Sequence, residues 1–151
     1  MKKLLNNTDD LLTDSLKGFA RAHNDIVSFN VQPAYISRSS PATQAKVALV
    51  SGGGAGHEPL HAGMVGTGML DAACPGHIFT SPTPDQMMAA AQAVDNGAGV
   101  LFIVKNYAGD VMNFEIAAEM LEGDSASVLV CDDVSLSAEH STGRRGVAGT
   151  L

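Results

Sequence analysis

KVALVSGGGAGHEPLH, residues 46–61, runs an unbroken apolar segment into a cluster of glycines and then two histidines. Residues 47–50, Val-Ala-Leu-Val, show no alternation of apolar and polar side chains. Such a run fits a strand buried on both faces, as in a parallel sheet between helices. Two similar runs follow, at 99–104 (Gly-Val-Leu-Phe-Ile-Val) and 127–131 (Ser-Val-Leu-Val-Cys). Between them, Thr83 is a cap, Pro84 suits a first helical position and Asp85 favours the positive helix end. A helix is predicted from there to about residue 94, stopped by Asn96-Gly97. Residues 111–122 read as a second helix ended by Gly123. Strand, helix, strand, helix, strand predicts an α/β fold: a mostly parallel sheet covered by helices on both faces, a three-layer sandwich.

The flanking segments are less regular. Thr8-Asp9-Asp10 opens a helix that carries Leu12, Leu16 and Phe19 or Ala20 at helical spacing to about residue 22. Residues 24–45 are irregular apart from one short strand within 31–36. Pro59 opens a short helix through Met64 and Val65, residues 69–74 read as a short strand, and Pro75-Gly76 as a turn. Residues 106–110 form a loop, and residues 143–151 look like the entry into another element of a longer protein.

With 151 residues the chain fits one domain, and 45% apolar with 17% charged residues is a globular composition. The net charge is −7, and the nine Lys and Arg are scattered, which argues against nucleic acid and anionic membrane as partners. Cys74 and Cys131 have no metal or redox spacing and are read as free buried thiols in a reducing compartment. The start of the chain has no long apolar run and no cleavage site, and nothing reaches the roughly 18 apolar residues of a membrane span. The expected location is the cytoplasm.

In an open parallel sheet, ligands bind beyond the carboxyl ends of the strands. Those ends carry residues 51–57, 105–110 and Asp132-Asp133. Residues 52–56 have almost no side chains, so a ligand can approach the main chain closely; a tight turn alone would need fewer glycines. Neither a phosphate loop ending in Lys-Ser/Thr nor a G-x-G-x-x-G pattern is present, so the glycines are not built for a nucleotide. His57-Glu58-Pro59-Leu60-His61 spells the zinc-protease pattern H-E-x-x-H. That pattern works inside a continuous helix, and Pro59 prevents one; no third ligand follows at the usual spacing, so no metal site is expected. His57, at the end of the glycines, can act as a base near neutral pH, or be a surface histidine. His61 is read as a helix-surface histidine, and His23, His77 and His140 have no supporting neighbours. Lys105 can bind an oxygen and Asp110 can accept a hydroxyl proton; equally, Asp110 can cap the next helix while Lys105 snorkels at the surface.

Residues 46–86, 99–121 and 143–150 carry the motifs G-G-G-x-G-H-E-P, F-T-S-P-T-P-D, K-N-Y-x-G-D and G-R-R-G-V-A-G-T. In these the chain closely resembles the substrate-binding subunit of dihydroxyacetone kinases. The resemblance implies a homodimeric glycerone kinase component of glycerol metabolism, linked to the phosphotransferase system. Its substrate, dihydroxyacetone, would rest on Gly54, Ala55, Gly56 and His57, with Lys105 binding it and His57 and Asp110 as the proton-accepting catalytic pair. No cofactor is implied on this chain. ATP or ADP with Mg belongs to a separate phosphoryl-donor subunit, recharged from phosphoenolpyruvate. The family continues into a second domain whose histidine forms a covalent hemiaminal with the substrate carbonyl, so residues 1–151 correspond to the amino-terminal half, expected to be inactive alone. A dihydroxyacetone-binding regulator without kinase activity would share the same binding residues.

Overall fold

The computed structural model of the chain describes residues 3–40, 42, 45–135, 137, 139 and 143–146. Helix α1 spans Leu11–Ala22, then strands β1 (Val27–Val31), β2 (Ala34–Arg38) and β3 (Ala48–Ala55) follow. A 3-10 turn at Ala62–Met64 leads to β4 (Ala72–Ile78), α2 (Pro84–Val94), β5 (Val100–Lys105), α3 (Ala108–Met120) and β6 (Ser125–Val130). The six strands form one sheet in the order β1-β2-β4-β3-β5-β6. The four strands β4, β3, β5 and β6 run parallel, and the β1–β2 hairpin joins antiparallel at the β4 side.

Both faces of the central strands are covered, as the uninterrupted apolar runs predict. On one face α2 and α3 press Met87, Ala90, Ala91, Phe114 and Ala117 onto Val50, Cys74 and Phe102. The alanines let the helices approach closely, and Phe102 and Phe114 meet edge to face with ring centroids 5.4 Å apart. On the other face α1, through Leu16, and the 3-10 turn pack in one cluster with Val27, Ile36, Val65, Leu70 and Ala73. Asp71 knits the strand starts: its carboxylate accepts from Arg38 Nη1 at 3.0 Å, from the Leu49 N–H at 2.9 Å and from Lys46 Nζ. Burial alone would raise its pKa, but Lys46, the Leu49 N–H and Arg38 together hold it below the usual carboxylate range.

Several expected elements differ. Residues 24–45 hold a two-stranded hairpin rather than one strand, with Gln32-Pro33 turning the chain. Pro59 opens no helix; a turn and the 3-10 segment stand there instead. β4 starts later than expected and runs through Pro75-Gly76. It can do so because β2 leaves β4 after Ala73, which frees the edge where Pro75 lacks a donor. The Gln86 amide bonds both Ala34 O (2.9 Å) and Pro75 O (3.1 Å) beyond the last β2–β4 pair. Its other end accepts from the Thr83 N–H at 3.0 Å, so the predicted entry of α2 also anchors that helix to the sheet. β6 is not a buried strand: it is the sheet edge, and Val128 and Leu129 are 45% and 49% exposed. Cys74 is buried as expected, which pushes its thiol pKa up, whereas Cys131 is exposed.

Candidate functional site

β3 and β5 pair only from Ala48↔Val100 to Ser51↔Ile103. Beyond that point β3 continues to Ala55 beside β4, and β5 continues to Lys105 beside β6. At the parting, the buried Ser51 hydroxyl donates to the Ile103 carbonyl at 2.7 Å. The chain leaves β3 toward β4 on one side and β5 toward β6 on the other, so the gap between the two strand ends is a topological switch point. Ligand crevices in parallel sheets open at such points.

The glycines are strand, not turn: Gly52, Gly53, Gly54 and Ala55 lie within β3 and are buried. Their missing side chains are required by what lies on either side. A Cβ on Gly54 would stand 2.6 Å from the Thr80 nitrogen. On the opposite side, a Cβ on Gly53 would stand 2.8 Å from His61 Cε1 and 3.0 Å from Lys105 Nζ. Ala55 and Gly53 also line a cavity of about 410 Å³ beneath α1. Gly56 turns the chain out of the sheet at φ +96°, against the Phe79 ring, and its N–H is taken by the Glu58 carboxylate at 3.1 Å. His57 follows at the surface, edge-on to Phe79 with centroids 5.1 Å apart.

Lys105 and Asp110 come from the other lip of the crevice. Lys105 ends β5 and is only 4% exposed, so it is not a snorkelling surface residue. Asp110 is 3% exposed and lies inside the first turn of α3, whose cap position is Tyr107, so the capping role does not fall to Asp110. The positive end of α3 favours a carboxylate there. Burial nevertheless raises the Asp110 pKa, against the opposing pull of the nearby Ser81 hydroxyl, Lys105 and His57. Burial lowers the Lys105 pKa, while Asp110 draws it up. Asp110 Oδ1 is buried and has no hydrogen-bond partner among the described residues. The charges of Lys105 and His57 thus both reach Asp110, and Lys105 Nζ also lies against Gly53.

Three parts of the site were not anticipated. His61 is not on a helix surface: it is 4% exposed, with Nε2 buried and unpartnered among the described residues. Burial, followed by the charges of Lys105 and His57, lowers its pKa to about 3. With His57 exposed and His61 buried, the two imidazoles do not share a helix face as a zinc pair must. The second unanticipated part is the segment Phe79-Thr80-Ser81, which closes over Gly54, Gly56 and Gly109. The third is residues 143–146, which lie along the end of β5. Asn106 Nδ2 donates to Arg144 O at 2.7 Å, Arg145 sits 5.2 Å from the Tyr107 ring centroid, and Lys105 Nζ sits 5.4 Å from it. The only signal for the last two was their presence in the motifs F-T-S-P-T-P-D and G-R-R-G. His140 and residues 147–151 lie outside the described residues.

Residues 17–151 match the family model described as the Dak1 domain. The chain belongs to the Dak1 domain family. Among curated Dak1 relatives, it is 48% identical to "PEP-dependent dihydroxyacetone kinase, dihydroxyacetone-binding subunit DhaK" of Escherichia coli, over 100% of this chain and 43% of the relative. It is 50% identical to "PTS-dependent dihydroxyacetone kinase 1, dihydroxyacetone-binding subunit DhaK" of Listeria innocua, over 100% of this chain and 47% of the relative. The chain thus spans less than half the length of these two relatives. The crystal structure of the dihydroxyacetone kinase of C. freundii superimposes with a TM-score of 0.89 at 38% identity, over 99% of this chain and 28% of that one. A structure described as "Dihydroxyacetone kinase operon co-activator Dha-DhaQ" superimposes with a TM-score of 0.83 at 33% identity, over 91% of this chain and 43% of that one. These likenesses agree with the mostly parallel sheet between helices. Among the described residues, no helix of this Dak1 chain is long and apolar enough to cross a membrane.

Proposed function

We propose that this chain binds dihydroxyacetone in the crevice between β3 and β5 and presents one of its hydroxyls for phosphorylation, as part of a dihydroxyacetone kinase. The observation that carries this reading is the buried Asp110 Oδ1, without a hydrogen-bond partner among the described residues, within electrostatic reach of the buried Lys105. A bare acceptor within electrostatic reach of a buried cation suits a small neutral molecule with both hydroxyls and a carbonyl. A substrate oxygen accepts from Lys105 and a hydroxyl donates to Asp110, while the molecule lies along the edge of β3 beyond Ser51, where β5 no longer pairs with it. The wider placement on Gly54, Ala55, Gly56 and His57 belongs to the same reading.

In the transfer step the hydroxyl proton passes to Asp110 or His57. The freed oxygen bonds to the γ-phosphorus as its bond to the ADP oxygen breaks. A carboxylate with a raised pKa is the better base for this. Positioning contributes most of the rate, as is usual in phosphoryl transfer. The nucleotide and its Mg sit on a partner subunit recharged from phosphoenolpyruvate, and the kinase component pairs as a homodimer. The test is turnover by the full-length protein with its donor subunit. His57→Ala and Asp110→Ala should each lose about 10²–10⁴-fold if the residue is a base; near-wild-type turnover in both removes these roles. The likeness to an operon co-activator favours a second reading, a sensor that binds dihydroxyacetone without phosphorylating it. Binding with no turnover in the presence of the donor subunit would select the sensor.

A further inference from the structure

The cavity of about 410 Å³ beneath α1 takes no part in the reaction described above. It lies on the α1 face of the sheet, whereas Asp110 stands on α3, which packs against the other face. Lys105, Asp110 and His57 do not line it. Its walls are mostly apolar: Leu12, Leu16 and Phe19 come from α1, and Leu60 from the segment before the 3-10 turn. The polar side chains there are Ser15, Glu58 and His61. Ser15 and Glu58 are exposed, and the Glu58 carboxylate already accepts from the Gly56 N–H. His61 is 4% exposed, and its Nε2 has no partner among the described residues. Small-molecule sites combine a volume of this size, apolar walls and a few buried polar groups. A buried nitrogen left bare is costly, so an occupant that bonds to it is stabilised. Water is a poor occupant between apolar walls, since it needs roughly two to four polar partners.

We propose that this cavity is a second binding site, for a small neutral alcohol or phenol with an apolar body: the hydroxyl bonds to His61 Nε2 and the body packs on Leu12, Leu16, Phe19 and Leu60. The hydroxyl follows from the chemistry of the ring. A neutral imidazole presents at Nε2 either a lone pair or an N–H, and a hydroxyl, being both donor and acceptor, serves either. The ring is neutral at physiological pH because burial, then the charges of Lys105 and His57, lower its pKa to about 3. Charged ligands fit poorly. The Lys105 ammonium, which with His61 flanks Gly53, disfavours a cation beside the ring, and the Glu58 carboxylate disfavours an anion. Apolar walls compensate neither for lost hydration. Dihydroxyacetone is excluded on the same ground, since its two hydroxyls and carbonyl would lose water against those walls. The inference does not rest on the proposed function, as it needs neither Asp110 nor phosphoryl transfer.

The experiment titrates the full-length protein with benzyl alcohol, toluene and benzoate, which share a ring and differ in the group it carries, and follows the leucine methyl groups by NMR. Benzyl alcohol should shift the methyls of Leu12, Leu16 and Leu60 saturably. It should bind about tenfold more tightly than toluene, the difference of one hydrogen bond, and about tenfold more tightly than benzoate. In His61→Leu the preference over toluene should vanish while the methyl shifts persist. No saturable shift with benzyl alcohol up to about 10 mM overturns the site. Toluene or benzoate binding as tightly as benzyl alcohol overturns the ligand class. Both comparisons are made on the wild type, so they decide the matter even if His61→Leu does not fold. Dihydroxyacetone should leave these methyls and the benzyl alcohol affinity unchanged, and competition between the two would overturn the proposal. A protein that binds benzyl alcohol here and no dihydroxyacetone anywhere refutes the proposed function and leaves the cavity site standing.

Discussion

Acidification from pH 7 to pH 4.5 tests the burial of His61. The folded protein holds this ring neutral, with its pKa lowered from 6.5 to about 3. Between those values the unfolded chain binds a proton that the folded chain excludes. Stability from this residue is therefore complete above pH 6.5 and declines as the pH falls through the window. One pKa unit corresponds to about 1.4 kcal/mol, so at pH 4.5, about two units below the ordinary value, His61 alone destabilises the fold by about 3 kcal/mol. Asp71, with its lowered pKa, adds to the loss in acid, and Asp110, with its raised pKa, opposes it. A comparison with His61→Gln cancels both. Urea unfolding of wild type and variant at pH 7, 5.5 and 4.5 should show the stability difference shifting against the wild type by about 3 kcal/mol across the range. A difference that stays constant with pH would refute the claim that this histidine is held neutral by burial.

Two further outcomes follow from the packing. Gly53→Ala places a methyl against His61 Cε1 and Lys105 Nζ, and should cost about 1–3 kcal/mol in chemical denaturation while weakening dihydroxyacetone binding in calorimetry. Phe102→Ala empties a fully buried site against Phe114 and Met87, and should cost about 3–5 kcal/mol by urea unfolding with no shift in the Lys105 titration.

The sheet and its two helical layers were legible because residues 47–50 and 99–104 are apolar without alternation, which only a doubly covered strand produces. The entry of α2 was legible from Thr83 and Pro84, and the chain order of the central elements followed. What escaped was set by partners distant in sequence. The Pro75-Gly76 pair reads locally as a turn, but the parallel register with Gly53 and Gly54 keeps it extended. Residues 127–131 read as buried because their composition matches the central strands, yet position at the edge of the sheet leaves them exposed. In the site, Lys105 and Asp110 were visible as polar residues after a buried strand, but their burial was not, since it depends on where β3 and β5 part. His61 escaped for the same reason. Pro59 ruled out the helix that would have paired it with His57, but nothing local indicates that the ring folds back against Gly53.

The account depends on dihydroxyacetone occupying the gap that opens beyond Ser51 and Ile103. A crystal structure of the full-length protein soaked with dihydroxyacetone measures this most directly. The ligand should lie along the edge of β3 beyond Ser51, with oxygens within hydrogen-bond distance of Lys105 Nζ and Asp110 Oδ1. Ligand found instead in the cavity beneath α1, or on the far side of the sheet from Asp110, would contradict the account.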